Sequence, residues 1–222
     1  MTADSTAIQA HATGHDAATP GVHAGRGVSN VILGMILFIT SEVMFFSGLF
    51  AAYFSTRFNP ANQPWGGNCG TNPAPDCHNF AELLDPLSLI LVATIILILS
   101  SFTCQFAVWS IRKGDRRGFI RNIAVTFLLG VVFLVMQAYD YSILYGEGMT
   151  LGSGPFGTVY FTLTGFHGAH VFGGVLMLGV ILYRGMSGQF SAKHHDAVEA
   201  VSFYWHFVDV VWILLFSILY LL

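Results

Sequence analysis

Five long apolar runs dominate the chain, at residues 28–54, 86–111, 119–141, 156–183 and 198–222. A helix that crosses a bilayer needs about 20 mostly apolar residues, and each run supplies them. Several runs are longer, which predicts tilted helices. Strands of a membrane barrel would be half this length and would alternate polar with apolar positions; these runs do not alternate. The pattern therefore predicts an all-α fold, a polytopic membrane bundle of five transmembrane helices over residues 28–222. Residues 1–27 are rich in Ala, Thr, Gly and His and have no apolar core. They read as a disordered polar tail and, without an apolar segment, not as a cleaved signal peptide. His11, His15 and His23 could hold a metal weakly there, but a polar low-complexity tail is the simpler reading.

Composition agrees with the pattern. Hydrophobic residues make up 54% of the chain and charged residues 9%, against about 25% charged in a soluble domain. So little charge could not wet the surface of a soluble fold. The net charge is −3, and no basic block is long enough to suggest a nucleic-acid partner.

The distribution of Lys and Arg sets an orientation. Of the nine basic residues, Arg26 precedes the first run, and Arg112, Lys113, Arg116, Arg117 and Arg121 follow the second. Arg184 and Lys193 follow the fourth, and Arg57 alone lies on the opposite side. The N-terminus is therefore expected in the cytoplasm and the C-terminus outside. That places the Pro/Gly-rich loop with Cys69 and Cys77 on the oxidising side, where a disulfide between them is expected; two unpaired thiols are the alternative. Cys104, inside an apolar run, reads as a small core residue.

Ionisable groups within a span are costly and need a partner or a purpose. Glu42 stands alone in the first run, about 20 Å from its cytoplasmic end at 1.5 Å per residue. It is either a carboxyl bonded to a neighbouring helix or part of a proton relay. Gln137, Asp140 and Tyr141 share one face of the third helix, near the outer interface, and read as structural. His167 and His170 share one side of the fourth helix. Gly165, Ala169 and Gly173 form a small-residue stripe on another side, suited to close helix approach. On the fifth helix Glu199, Ser202, His206 and Asp209 fall within an arc of about 80°, an inward polar stripe from which Trp205 and Trp212 project elsewhere. The His-rich faces of the fourth and fifth helices are expected to bind each other. A di-iron site would want Glu-x-x-His on two helices, and neither helix has it. A bis-His haem is compatible with the pattern, although satisfied structural histidines are the more economical account. No residue is assigned to catalysis or to a metal.

Four segments carry a resemblance. Ser41-Glu42-Val43-Met44-Phe45-Phe46, followed by Gly48-Leu49-Phe50, resembles a motif of subunit III of cytochrome c oxidase. So do Gln137-Ala138-Tyr139-Asp140-Tyr141, Thr164-Gly165-Phe166-His167-Gly168-Ala169-His170-Val171 and Tyr204-Trp205-His206-Phe207-Val208-Asp209-Val210-Val211-Trp212. They occur in the family's order and span all five helices. Many members have seven helices, and this chain resembles a shorter bacterial form lacking the first two. Asp140 stands where the family usually has Glu, and the Cys69/Cys77 loop is outside the common pattern. The third subunits of quinol oxidases tend to read Ser-Asp in the first helix and Thr-His-Gly in the fourth. Here Ser41-Glu42 and Phe166-His167-Gly168 match the cytochrome c type.

The resemblance implies a subunit of an aerobic respiratory complex that passes electrons from cytochrome c to oxygen, forms water and pumps protons. Family members carry no haem or copper, which sit in subunits I and II. Subunit III packs on subunit I, holds phospholipid, and keeps proton uptake fast and the enzyme long-lived. The implied partners are subunits I and II and membrane lipids, with a larger respiratory supercomplex left open, and the implied location is the bacterial cell membrane. Glu42 becomes the candidate for supporting proton uptake; Gln137, Asp140, His167, His170, Glu199, His206 and Asp209 become buried polar framework. An independent haem-binding carrier, a transporter and a catalytically silent assembly factor are the rival readings.

Overall fold

The computed structural model describes residues 29–59, 61, 89–191 and 195–221. The Cys69/Cys77 loop and the tail with His11, His15 and His23 lie outside these residues. Five helices are present: α1 (Asn30–Arg57), α2 (Leu89–Arg112), α3 (Arg116–Gly146), α4 (Pro155–Met186) and α5 (Asp196–Phe216), the last running into a π-helical turn, Ser217–Leu221. All five are long and apolar enough to cross a membrane.

The helices outrun the apolar segments because charged and polar residues continue them past the hydrocarbon. α3 begins at Arg116 behind Asp115, whose carboxylate accepts from the Gly118 amide at 3.0 Å. It ends at Gly146, beyond the apolar run. α4 ends where the Arg116 side chain donates to the Gly185 and Met186 carbonyls at 3.3 and 2.6 Å. The last carbonyls of a helix lack amide partners within it; the Gly188 amide also donates to Gly185, at 3.1 Å, and a cation there suits the helix dipole.

α2, α3, α4 and α5 form a closed ring in which each helix packs on its sequence neighbour and α5 returns to α2. α1 leans on the outside, against α5 and α4. It is the least covered helix, with only Phe46 and Tyr53 buried. α5 is the central element. Trp205 and Trp212 are 0% and 1% exposed, and their indole N–H groups donate to Ser100 and Thr94 of α2, both at 2.9 Å. This corrects the expectation that both tryptophans project away from the inward face: a buried indole needs an acceptor, and α2 supplies one for each.

Two glycines make room for Trp205. A Cβ on Gly130 of α3 would sit 2.7 Å from the indole, and one on Gly174 of α4 would sit 2.8 Å from it. The stripe of Gly165, Ala169 and Gly173, by contrast, is not a tight seam. A Cβ on Gly165 or Gly173 would find its nearest atom at 3.9 or 3.6 Å, and Ala169 is exposed.

Candidate functional site

Glu42 meets His170 across the α1–α4 seam. The Oε2–Nε2 distance is 2.8 Å, and the two side chains are 18% and 16% exposed. The local sequence explains the meeting. Glu42 lies one turn before Phe46, whose buried ring abuts the His170 imidazole at 5.0 Å between centroids. Phe45 adds a second ring to the wall, 6.2 Å from the imidazole. His170 Nδ1 lies 2.7 Å from the Phe166 carbonyl. A carbonyl only accepts, so Nδ1 carries a proton. The Nε2–Oε2 contact therefore shares a single proton, held either by the carboxyl or by the imidazole. α5 joins the cluster through Tyr204, whose hydroxyl donates to the His170 carbonyl at 3.0 Å.

His167 faces the core instead. It is 0% exposed, lies 4.8 Å from the Trp212 ring, and its Nε2 donates to the Val208 carbonyl at 3.2 Å. Its Nδ1 has no hydrogen-bond partner among the described residues. This bond does join α4 to α5.

The His206 half of that expected α4–α5 bond is different. His206 Nδ1 lies 2.5 Å from Ser101 Oγ and Nε2 lies 3.3 Å from Gln105 Oε1, so it ties α5 to α2. The ring faces α2 because Trp205, next to it on α5, already fills the space beside α4. Asp209, 4% exposed, has no hydrogen-bond partner for either carboxylate oxygen among the described residues. It borders a hollow of about 310 Å³ with Ser101, Gln105 and His206.

Gln137, Asp140 and Tyr141 bind α3 to α4. Gln137 Nε2 donates to the Thr164 carbonyl at 3.0 Å, and the Tyr141 hydroxyl lies 2.7 Å from Thr164 Oγ1. Asp140 accepts from the Tyr160 hydroxyl at 3.4 Å, which in turn contacts the Tyr220 hydroxyl at 2.6 Å. Glu199 sits at the basic end of the bundle. It accepts from Arg112 at 3.0 and 2.8 Å and contacts His195 at 3.0 Å.

Sequence reasoning missed Tyr204, Tyr160, Tyr220 and the α2 partners. Thr94, Ser101 and Gln105 are among the few polar positions of α2, and they fall within an arc of about 40°. That coincidence was the available signal.

The family profile described as Cytochrome c oxidase subunit III matches residues 8–222. The chain belongs to the cytochrome c oxidase subunit III family. Its relatives include "Probable cytochrome c oxidase subunit 3" of Mycobacterium tuberculosis, 40% identical over 208 residues, 94% of this chain and 96% of that one. "Cytochrome c oxidase subunit 3" of Corynebacterium diphtheriae is 42% identical over 207 residues, 92% of this chain and 95% of that one. The protein of that name from the carp Cyprinus carpio is 40% identical over 187 residues, 84% of this chain but 67% of its own length. Subunit III membership places the chain in a complex with other oxidase subunits. No group of three or more metal-ligating side chains occurs among its described residues.

Proposed function

We propose that this chain is the redox-inactive third subunit of an aerobic cytochrome c oxidase in a bacterial cell membrane. It packs on subunit I in a complex that also holds subunit II, retains phospholipid, and supports proton uptake by the neighbouring catalytic subunit. The single observation that carries this reading is the Glu42–His170 pair. A carboxyl and an imidazole share one proton within the apolar zone, on the helix least covered by its own chain. Such a pair can accept or release a proton with little movement of heavy atoms. The Phe166 carbonyl and the Phe46 ring hold the imidazole, so Glu42 is the member free to change rotamer.

The other buried polar groups act as framework. Hydrogen bonds between membrane helices are worth roughly 0.6–2 kcal/mol each, and those at Gln137, His167, Trp205, His206 and Trp212 tie the ring of helices together. The N-terminus lies in the cytoplasm on this reading, because the basic α2–α3 connection belongs on that side.

The test is purification of the intact complex by a tag on this chain. The reading expects subunits I and II with haem and copper, oxidation of reduced cytochrome c, and proton pumping that fades over turnovers when this chain is removed. Oxidation of quinol alone would replace it with the quinol-oxidase reading. A Soret band in the isolated chain would replace it with the haem-carrier reading. Unchanged pumping and lifetime after removal would leave only an assembly role.

A further inference from the structure

The α2–α3 hairpin carries three cations that no other described residue engages. Arg112 is engaged by Glu199, Arg116 by the end of α4, and Arg184 by Gln189 and the face of Phe190. Lys113, Arg117 and Arg121 are exposed, and their side chains have no hydrogen-bond or ion-pair partner among the described residues. They cluster across a connection of three residues, Lys113, Gly114 and Asp115, between α2 and α3.

Below these cations both arms of the hairpin present bulky apolar stripes away from the ring. On α2, Phe102, Phe106 and Trp109 are 59%, 47% and 48% exposed and fall with Lys113 within an arc of about 60°. On α3, Val125, Leu128, Val132 and Val135 are 38%, 59%, 43% and 63% exposed. They fall with Arg117 and Arg121 within an arc of about 80°. At its deep end the α2 stripe reaches the hollow of about 310 Å³, whose apolar walls are Ile98, Phe102, Val210 and Ile213.

We infer that the hairpin is a binding site for an anionic phospholipid. The phosphodiester headgroup lies among Lys113, Arg117 and Arg121, and the acyl chains run down the two stripes. Two observations favour a lipid over a partner helix. Close helix packing in membranes uses small residues, and these stripes are aromatic and branched. Cations directly at the polar end of such stripes match a headgroup in register with its chains. Of the nearby described acids, Glu199 is taken by Arg112 and His195, and Asp115 holds the Gly118 amide on one carboxylate oxygen. Three cations against this one exposed acid leave the site net positive, so it favours a headgroup of net negative charge. This inference rests on the lipid-retaining part of the proposed function and is independent of the role of Glu42.

The experiment uses the intact oxidase in phosphatidylcholine bilayers, doped with photoactivatable phosphatidylglycerol or photoactivatable phosphatidylcholine. Labelled peptides are mapped by mass spectrometry. The expected result is preferential phosphatidylglycerol labelling of the α2–α3 hairpin. A surface cation is worth roughly fivefold in binding an anionic lipid. Lys113→Gln/Arg117→Gln/Arg121→Gln should therefore lower that labelling about a hundredfold, and Arg117→Lys/Arg121→Lys should keep it. If the triple variant fails to assemble, Arg121→Gln alone should show the roughly fivefold loss. Equal labelling by both lipids, unchanged labelling in the Gln variants, or no label because another subunit covers the hairpin would each overturn the site. Total phospholipid phosphorus in the same sample separates the two levels: retained lipid without hairpin labelling sinks this inference alone, and absence of retained lipid sinks the lipid-retaining role as well.

Discussion

His170 Nε2 lies 2.8 Å from Glu42 Oε2, across the seam that holds α1 to the rest of the bundle. α1 buries only two side chains of its own, so this polar contact is a large share of what positions it. Replacing His170 by Leu should loosen α1 and lower stability by about 1–2 kcal/mol, as for one strong interhelical bond. The thermal midpoint of the purified complex measures this. A double-mutant cycle with Glu42→Leu, which removes the bond from the other side, should return a coupling energy well above the roughly 0.3–0.5 kcal/mol of independent sites.

Trp205 predicts a contrast between glycines on one helix. Gly174→Ala drives a methyl to 2.8 Å from the indole, and overpacking of this kind costs about 1–3 kcal/mol. Gly165→Ala meets nothing nearer than 3.9 Å and should be close to neutral. Thermal unfolding of the two variants in the same complex should separate them clearly.

The indole of Trp212 donates to Thr94 Oγ1 at 2.9 Å. Thr94→Val keeps the shape and leaves a buried donor without an acceptor, at about 1–3 kcal/mol. In a Trp212→Phe background the same Thr94→Val substitution should cost less, since the orphaned donor is gone. An equal cost of Thr94→Val in both backgrounds would show that the bond is not the cause.

Arg112 and Glu199 form the opposite kind of pair. Their side chains are 52% and 16% exposed, and exposed ion pairs are worth about 0–1 kcal/mol. Arg112→Gln should shift the thermal midpoint slightly at low salt and not at all at high salt.

The five helices were legible in the sequence because a membrane leaves the backbone few choices: a long apolar run must satisfy its own amides. Their ends were less legible. α3 runs to Gly146 through Ser142 and Tyr145, which no measure of apolarity selects. Glu42 and His170 were each visible as costly residues, but their pairing depends on how α1 lies on α4. Periodicity on one helix cannot supply the rotation of another. The same ignorance sent His206 to the wrong neighbour. Its face was correctly read as inward, yet Ser101 and Gln105, not α4, meet it there. Trp205 and Trp212 were placed off the inward face because only the polar stripe was taken to define it; their acceptors lie on α2, which the pattern of α5 alone cannot show.

The central claim is that the proton shared by Glu42 and His170 supports the oxidase and is not mere packing. The measurement is proton pumping and oxygen uptake over many turnovers by the intact complex, wild type against Glu42→Gln, with subunit content checked in each sample. Gln preserves the size of the side chain and a hydrogen bond to the imidazole but cannot exchange the shared proton. The account predicts normal assembly with slower proton uptake at each turnover and a shorter catalytic lifetime. Turnover, pumping and lifetime all equal to wild type in a fully assembled complex would contradict it.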